Sequence, residues 1–158
     1  MTKVLTSAQN GKAQTTKKIF SRQTSVSTTI QADASIIWAL LTNAADFSRW
    51  NGTVISIEGN IAPGETIRLR SALDAKRVFK LKVKEFVPGK KLVWGDAMGN
   101  RHYVLDHGTA GATLFSMTEK IGGPLFPLFA KMIPPFDLSF EKFAADLKKE
   151  AESIMNAR

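Results

Sequence analysis

Glu119 is the ionisable residue whose setting most invites chemistry. In TLFSMTEKI, residues 113–121, the side chains of Phe115, Met117, Glu119 and Ile121 alternate, so a strand would place this carboxylate on an otherwise apolar face. There a carboxylate has three outcomes. Desolvation raises its pKa and makes it a general acid or a ligand-orienting acceptor, a cation such as Arg101 pairs with it, or a bulge at the strand end turns it outward. The other titratable candidates lie in RHYVLD, residues 101–106, where His102 shares a face with Val104 and Tyr103 shares one with Leu105. One of His102 and Tyr103 must therefore face the interior and the other solvent. Glu119 with His102 or Tyr103 could act as an acid–base pair only if both side chains converge within reach of one substrate.

Other chemistries lack their residues. The chain has no cysteine, which removes disulfides, thiolate metal sites and a cysteine nucleophile. Its two histidines, His102 and His107, lie five apart with no convergent ligands, so no metal site is expected. No phosphate-binding glycine loop, nucleotide fingerprint or nucleophile elbow is present, and no cofactor is expected.

The formal charge of +8 invites a nucleic-acid reading, but half of it sits in residues 1–18, where Lys3, Lys12, Lys17 and Lys18 face no acid. The rest is mildly basic, with lysines alternating along strands, as in KLKVK at residues 80–84, like a solvated sheet face. Nucleic acid is not an expected partner. Residues 1–18 read as a disordered basic tail and residues 19–158 as a single domain. Neither a signal-peptide apolar block nor a membrane-length apolar run occurs, so a cytoplasmic location is the default.

The elements that would position these groups follow from hydrophobic period. Residues 19–31 read as a long first strand with Phe20, Val26, Thr28 and Ile30 in phase. Asp33 sits at an N-cap position before a short helix carrying Ile36, Ile37, Leu40 and Leu41. NAADFSRWNG, residues 43–52, reads as a second short helix, with Phe47 and Trp50 on one face looking toward the interior or its rim. Alternating runs then predict strands at 53–59, 65–71, 79–84, 92–94, 101–106 and 113–119, joined by short turns and hence antiparallel. A final amphipathic helix carries Phe136, Phe140, Phe143, Leu147, Ala151 and Ile154, with Asp137 placed to cap it. Between strand and helix, GGPLFPLFAKMIPP at residues 122–135 is apolar but broken by Pro124, Pro127, Pro134 and Pro135. It reads either as a packed lead-in to the helix or as a lid or membrane-touching loop.

One apolar helix face and one apolar sheet face satisfy each other if the sheet curves around the helix, which is an α+β helix-grip architecture. DASIIWALLT at 33–42, FSRWN at 47–51, Gly59 with Gly64 and Glu65, VKEFVPGKKLVW at 83–94, HYVL at 102–105 and TEKIGGPLFPL at 118–128, in this order, resemble the START-like (SRPBCC) superfamily. Within it the sequence is most similar to the small bacterial polyketide cyclase/dehydrase-like group, over residues 19–155. That resemblance implies a cavity between sheet and C-terminal helix for a small hydrophobic ligand such as a lipid or polyketide. Trp38, Phe47, Trp50, Trp94, Tyr103, Met117, Phe126, Phe136 and Phe140 would line it, and Glu119 or His102 would orient the ligand. The alternative is a cyclase or dehydratase-like enzyme using Glu119, His102 or Tyr103.

Overall fold

The computed structural model describes residues 10–158. Its strands are β1 (Gln14–Lys17), β2 (Ser21–Ile30), β3 (Val54–Glu58), β4 (Thr66–Ser71), β5 (Asp74–Val87), β6 (Lys91–Gly95), β7 (Gly99–His107) and β8 (Thr113–Gly122). The helices are α1 (Ala34–Thr42), α2 (Phe47–Trp50), α3 (Phe126–Phe129) and α4 (Asp137–Asn156). All strands join one sheet of order β1-β2-β8-β7-β6-β5-β4-β3, and every neighbouring pair is antiparallel. The expected fold class holds, with eight strands rather than six or seven.

Two boundaries differ from the sequence reading. Residues 14–17, expected within a disordered tail, form the edge strand β1, with Gln14 opposite Ser25 and Lys17 opposite Arg22. QTTK has no apolar alternation to reveal it, since an edge strand gains its pairing from backbone bonds. Of the rest of that tail, Asn10 bridges to Thr28 and Gly11 N donates to Ser27 O at 2.9 Å, while residues 1–9 lie outside the described residues. Ile19 and Phe20, expected at the start of the long strand, form an exposed bend between β1 and β2.

The sheet curves where three register shifts fall, between Val54 and Ser56, Leu69 and Ser71, and Val83 and Glu85, all in the β3–β6 half. Its concave face is visible in β2, where Val26, Thr28 and Ile30 are buried in alternation, and in β8, where Phe115 and Met117 are. Lys80, Lys82 and Lys84 of β5 point out to solvent. Helix α4 lies in the concavity and buries Phe140, Phe143, Ala144, Leu147 and Ala151. Asp137 is the first residue of α4 rather than its cap. Its carboxylate accepts a 2.7 Å hydrogen bond from Thr15 Oγ1 on β1, a favourable place for an anion at a helix N-terminus.

α1 and α2 close one end of the concavity, and here the space is solid. Phe47 packs on Trp50 with centroids 4.7 Å apart and on Phe143 at 5.9 Å. Asn51 locks the turn that follows: its fully buried side chain accepts from Thr53 N and Oγ1 at 3.1 and 2.7 Å and donates to Phe143 O at 3.4 Å.

Candidate functional site

At the other end of the concavity, beside the N-terminus of α4, the packing opens into a cavity of about 190 Å³. Leu69, Phe79, Leu81, Trp94 and Ile121 form its sheet wall, and Met132, Ile133, Pro134 and Phe136 form its roof. β7 must approach β8 closely here: a Cβ at Gly99 would meet Lys120 O and the Ile121 side chain at 2.6 Å. The cavity mouth lies by the β4–β5 turn, where Leu73, Asp74 and Arg77 join the lining.

The polar pole is the Arg101–Glu119 pair. The two residues stand opposite each other on β7 and β8, both on the concave face. Arg101 Nε donates to Glu119 Oε1 at 3.0 Å, and the side chains keep 20% and 17% exposure. The pairing is monodentate through Nε, so the terminal guanidinium nitrogens and Glu119 Oε2 take no part in this bond. Burial opposes the charge of Arg101, but the attraction of Glu119 and the neighbouring Tyr103 outweighs it and holds the guanidinium firmly protonated. The guanidinium also lies over Phe140, 4.9 Å from its ring centroid.

Tyr103 stands behind this pair, 1% exposed. Its hydroxyl lies in the field of Arg101 yet makes no hydrogen bond of acceptable geometry. Burial dominates and pushes its pKa up to about 12, against the opposing pull of Arg101.

A second arginine ties the roof down. Arg22 of β2, buried on the concave face, donates from Nη1 to Ile133 O at 3.2 Å and from Nη2 to Pro134 O at 2.8 Å. Its guanidinium covers the Phe136 ring at 4.6 Å, while its Nε is buried without a partner. Burial lowers its pKa, and the nearby carboxylates of Glu119 and Asp137 work against that shift.

Of the ten side chains expected to contact ligand, Trp94, Glu119 and Phe136 line the cavity. Phe140 stacks on Phe136 with planes 3° apart, and Tyr103 and Met117 form a second layer behind the wall. Four others lie elsewhere. Phe47 and Trp50 belong to the solid end of the concavity, and Trp38 packs edge-on against Phe86 at 5.2 Å. Phe126 is buried against Phe129 beneath the exposed surface of the proline-rich segment. His102 points to the convex face, where burial and Lys91 both lower its pKa and Glu85 opposes them. Glu119 and His102 therefore do not converge. For Glu119 the ion-pair outcome is the one found.

Sequence reasoning had Arg101 only as a partner for Glu119 and missed Arg22. Both carried a signal: Arg22 is in phase with Val26 and Ile30, and Arg101 with Tyr103 and Leu105. Among the described residues no group of three or more His, Asp or Glu side chains could hold a metal ion.

No family model matches the sequence, and no curated protein matches it. Solved structures do. A conserved protein of unknown function from Enterococcus faecalis aligns at TM-score 0.67 and 15% identity, over 94% of this chain and 81% of that one. A START superfamily protein from Mycobacterium smegmatis aligns at TM-score 0.60 and 14% identity, over 84% and 98%. The di-domain ARO/CYC protein BexL of the BE-7585A biosynthetic pathway aligns at TM-score 0.65 and 14% identity, covering 86% of this chain and 52% of its own. The chain thus has the START-like helix-grip fold. It spans about half of BexL, and at these identities the likeness concerns fold.

Proposed function

We propose that this protein binds a small, mainly apolar molecule carrying one oxygen-bearing end, a lipid, polyketide fragment or similar compound. The apolar part would lie on Leu81, Trp94, Ile121 and Phe136, and the oxygen would accept hydrogen bonds from the Arg101 guanidinium. One observation carries this reading: a mainly apolar cavity of about 190 Å³ has the Arg101–Glu119 pair in its wall, its other charged lining residues being Asp96 between β6 and β7 and Asp74 and Arg77 near the mouth. For scale, a cavity of about 150 Å³ with apolar walls accommodates benzene. The volume therefore suits one or two rings or a short acyl chain. A longer ligand would have to protrude through the mouth or displace the roof.

The catalytic alternative, a cyclase or dehydratase using Glu119 with His102 or Tyr103, draws less support. His102 lies across the sheet from Glu119, and a phenol with a pKa of about 12 is a poor proton donor or base near neutral pH. The likeness to BexL and to DynU16, a putative protein of the dynemicin biosynthetic locus, makes polyketide-like ligands worth testing first. Native mass spectrometry of the purified protein, followed by solvent extraction, tests the reading. A co-purifying or added apolar compound that stays bound supports it, and a protein that remains ligand-free against a panel of such compounds overturns it.

A further inference from the structure

The roof of the cavity has an outer surface that is unusual for a soluble protein. Between residues 124 and 138 nine side chains are exposed, and eight are apolar, the exception being Lys131. Leu125 is 63% exposed, Leu128 79%, Met132 81% and Leu138 81%. Leu125, Leu128 and Met132 follow at three- and four-residue spacing along α3 and the turn after it, which gives them a common face. Met132 also lines the cavity, as does exposed Leu73 on the β4–β5 turn. Apolar side chains therefore project from both sides of the mouth.

We propose that this face docks on the surface of an anionic lipid bilayer, with the cavity mouth turned toward the acyl layer. Three features favour a bilayer over other occupants. First, exposed Lys131 on the segment and exposed Lys76 and Arg77 on β5 outnumber the exposed Asp74 at the mouth, on a chain of net charge +8, which suits anionic headgroups and disfavours a second copy of this chain. Second, the four prolines of the segment have no backbone N–H, so fewer donors are stranded as the segment enters the interfacial layer. Third, the segment's carboxylate, Asp137, is occupied by Thr15. Among the described residues no helix is long and apolar enough to cross a membrane. An apolar ligand could then pass between bilayer and cavity without crossing water.

Vesicle flotation tests this with the full chain, using phosphatidylcholine vesicles with and without phosphatidylserine. Wild type should float with the phosphatidylserine vesicles, and less so as salt rises. The variant Leu128→Glu/Leu138→Glu, whose sites are outside the cavity lining, should float about tenfold less while keeping its circular dichroism and its ligand binding. Lys76→Glu/Lys131→Glu should lose the preference for anionic vesicles. Failure of wild type to float, or flotation of the leucine variant equal to wild type, overturns the proposal. So does a wild-type dimer in light scattering that the leucine variant abolishes, since the face would then pair with a second copy. Ligand binding in vesicle-free solution is read separately, so the docking face and the cavity can fail independently.

Discussion

Arg101 and Glu119 face each other across β7 and β8, joined by a single 3.0 Å hydrogen bond from Nε to Oε1 at the polar pole of the cavity. Removing one partner leaves the other partly desolvated with its charge uncompensated. Arg101→Met should therefore destabilise the fold by about 1–3 kcal/mol, below the cost for a fully buried pair because both side chains keep some exposure. Arg101→Met/Glu119→Leu should recover part of that loss in urea unfolding. Both variants should bind oxygen-bearing ligands more weakly than wild type, while purely apolar probes are affected less.

Tyr103 is the only tyrosine in the chain, so its ionisation can be followed by phenolate absorbance. The buried phenol ionises at about 12 instead of the ordinary 10.0, so between these values the folded state holds a proton that the unfolded state has released. The stability this contributes is complete below pH 10.0 and is lost as pH rises toward about 12. Over that window it amounts to roughly 2–3 kcal/mol. Tyr103→Phe should abolish this alkaline loss. Because the hydroxyl lacks a hydrogen-bond partner, the same change should cost little at neutral pH.

Arg22 holds the roof through Ile133 O and Pro134 O and through its stacking on Phe136. Arg22→Met should cost about 1–3 kcal/mol and speed amide exchange at Ile133 and Phe136 more than in α4. Uniform acceleration throughout the chain would show that Arg22 supports the whole fold rather than the roof.

Phe47→Leu should lower stability by about 1–2 kcal/mol, because it leaves a void against Trp50 and Phe143. It should leave the ligand affinity of the folded protein unchanged. A changed affinity would return Phe47 to the ligand wall.

The same residue marks how far sequence could be read. Period-two alternation in β7 and β8 and the helical stripe of α4 specified the concave face, because apolar side chains there have one place to go. Which end of the concavity is filled was not legible. Phe47 and Trp50 had the composition of a cavity wall, but contact with Phe143, ninety-odd positions away, made them core. The opening at the opposite end depends on register shifts such as Val83/Glu85 and on a non-helical roof, neither of which has a period. Strand β1 escaped for a related reason, as a polar edge strand contributes pairing and no hydrophobic pattern. The inward arginines were legible in phase, but Arg101 was raised only as a partner for Glu119 and Arg22 was not singled out. Their recognition required seeing that Glu119 and two roof carbonyls occupy the same layer.

The most direct measurement of the central claim is titration with a neutral two-ring fluorophore bearing one oxygen, 2-naphthol, of wild type and of Leu81→Trp, in which an indole takes up cavity volume. Leu81 lines the cavity opposite the roof, so wild type should bind the fluorophore saturably, and the filled variant should bind at least about tenfold more weakly while unfolding at a similar temperature. Equal binding by both proteins, or none by wild type, would contradict the assignment of this cavity as the ligand site.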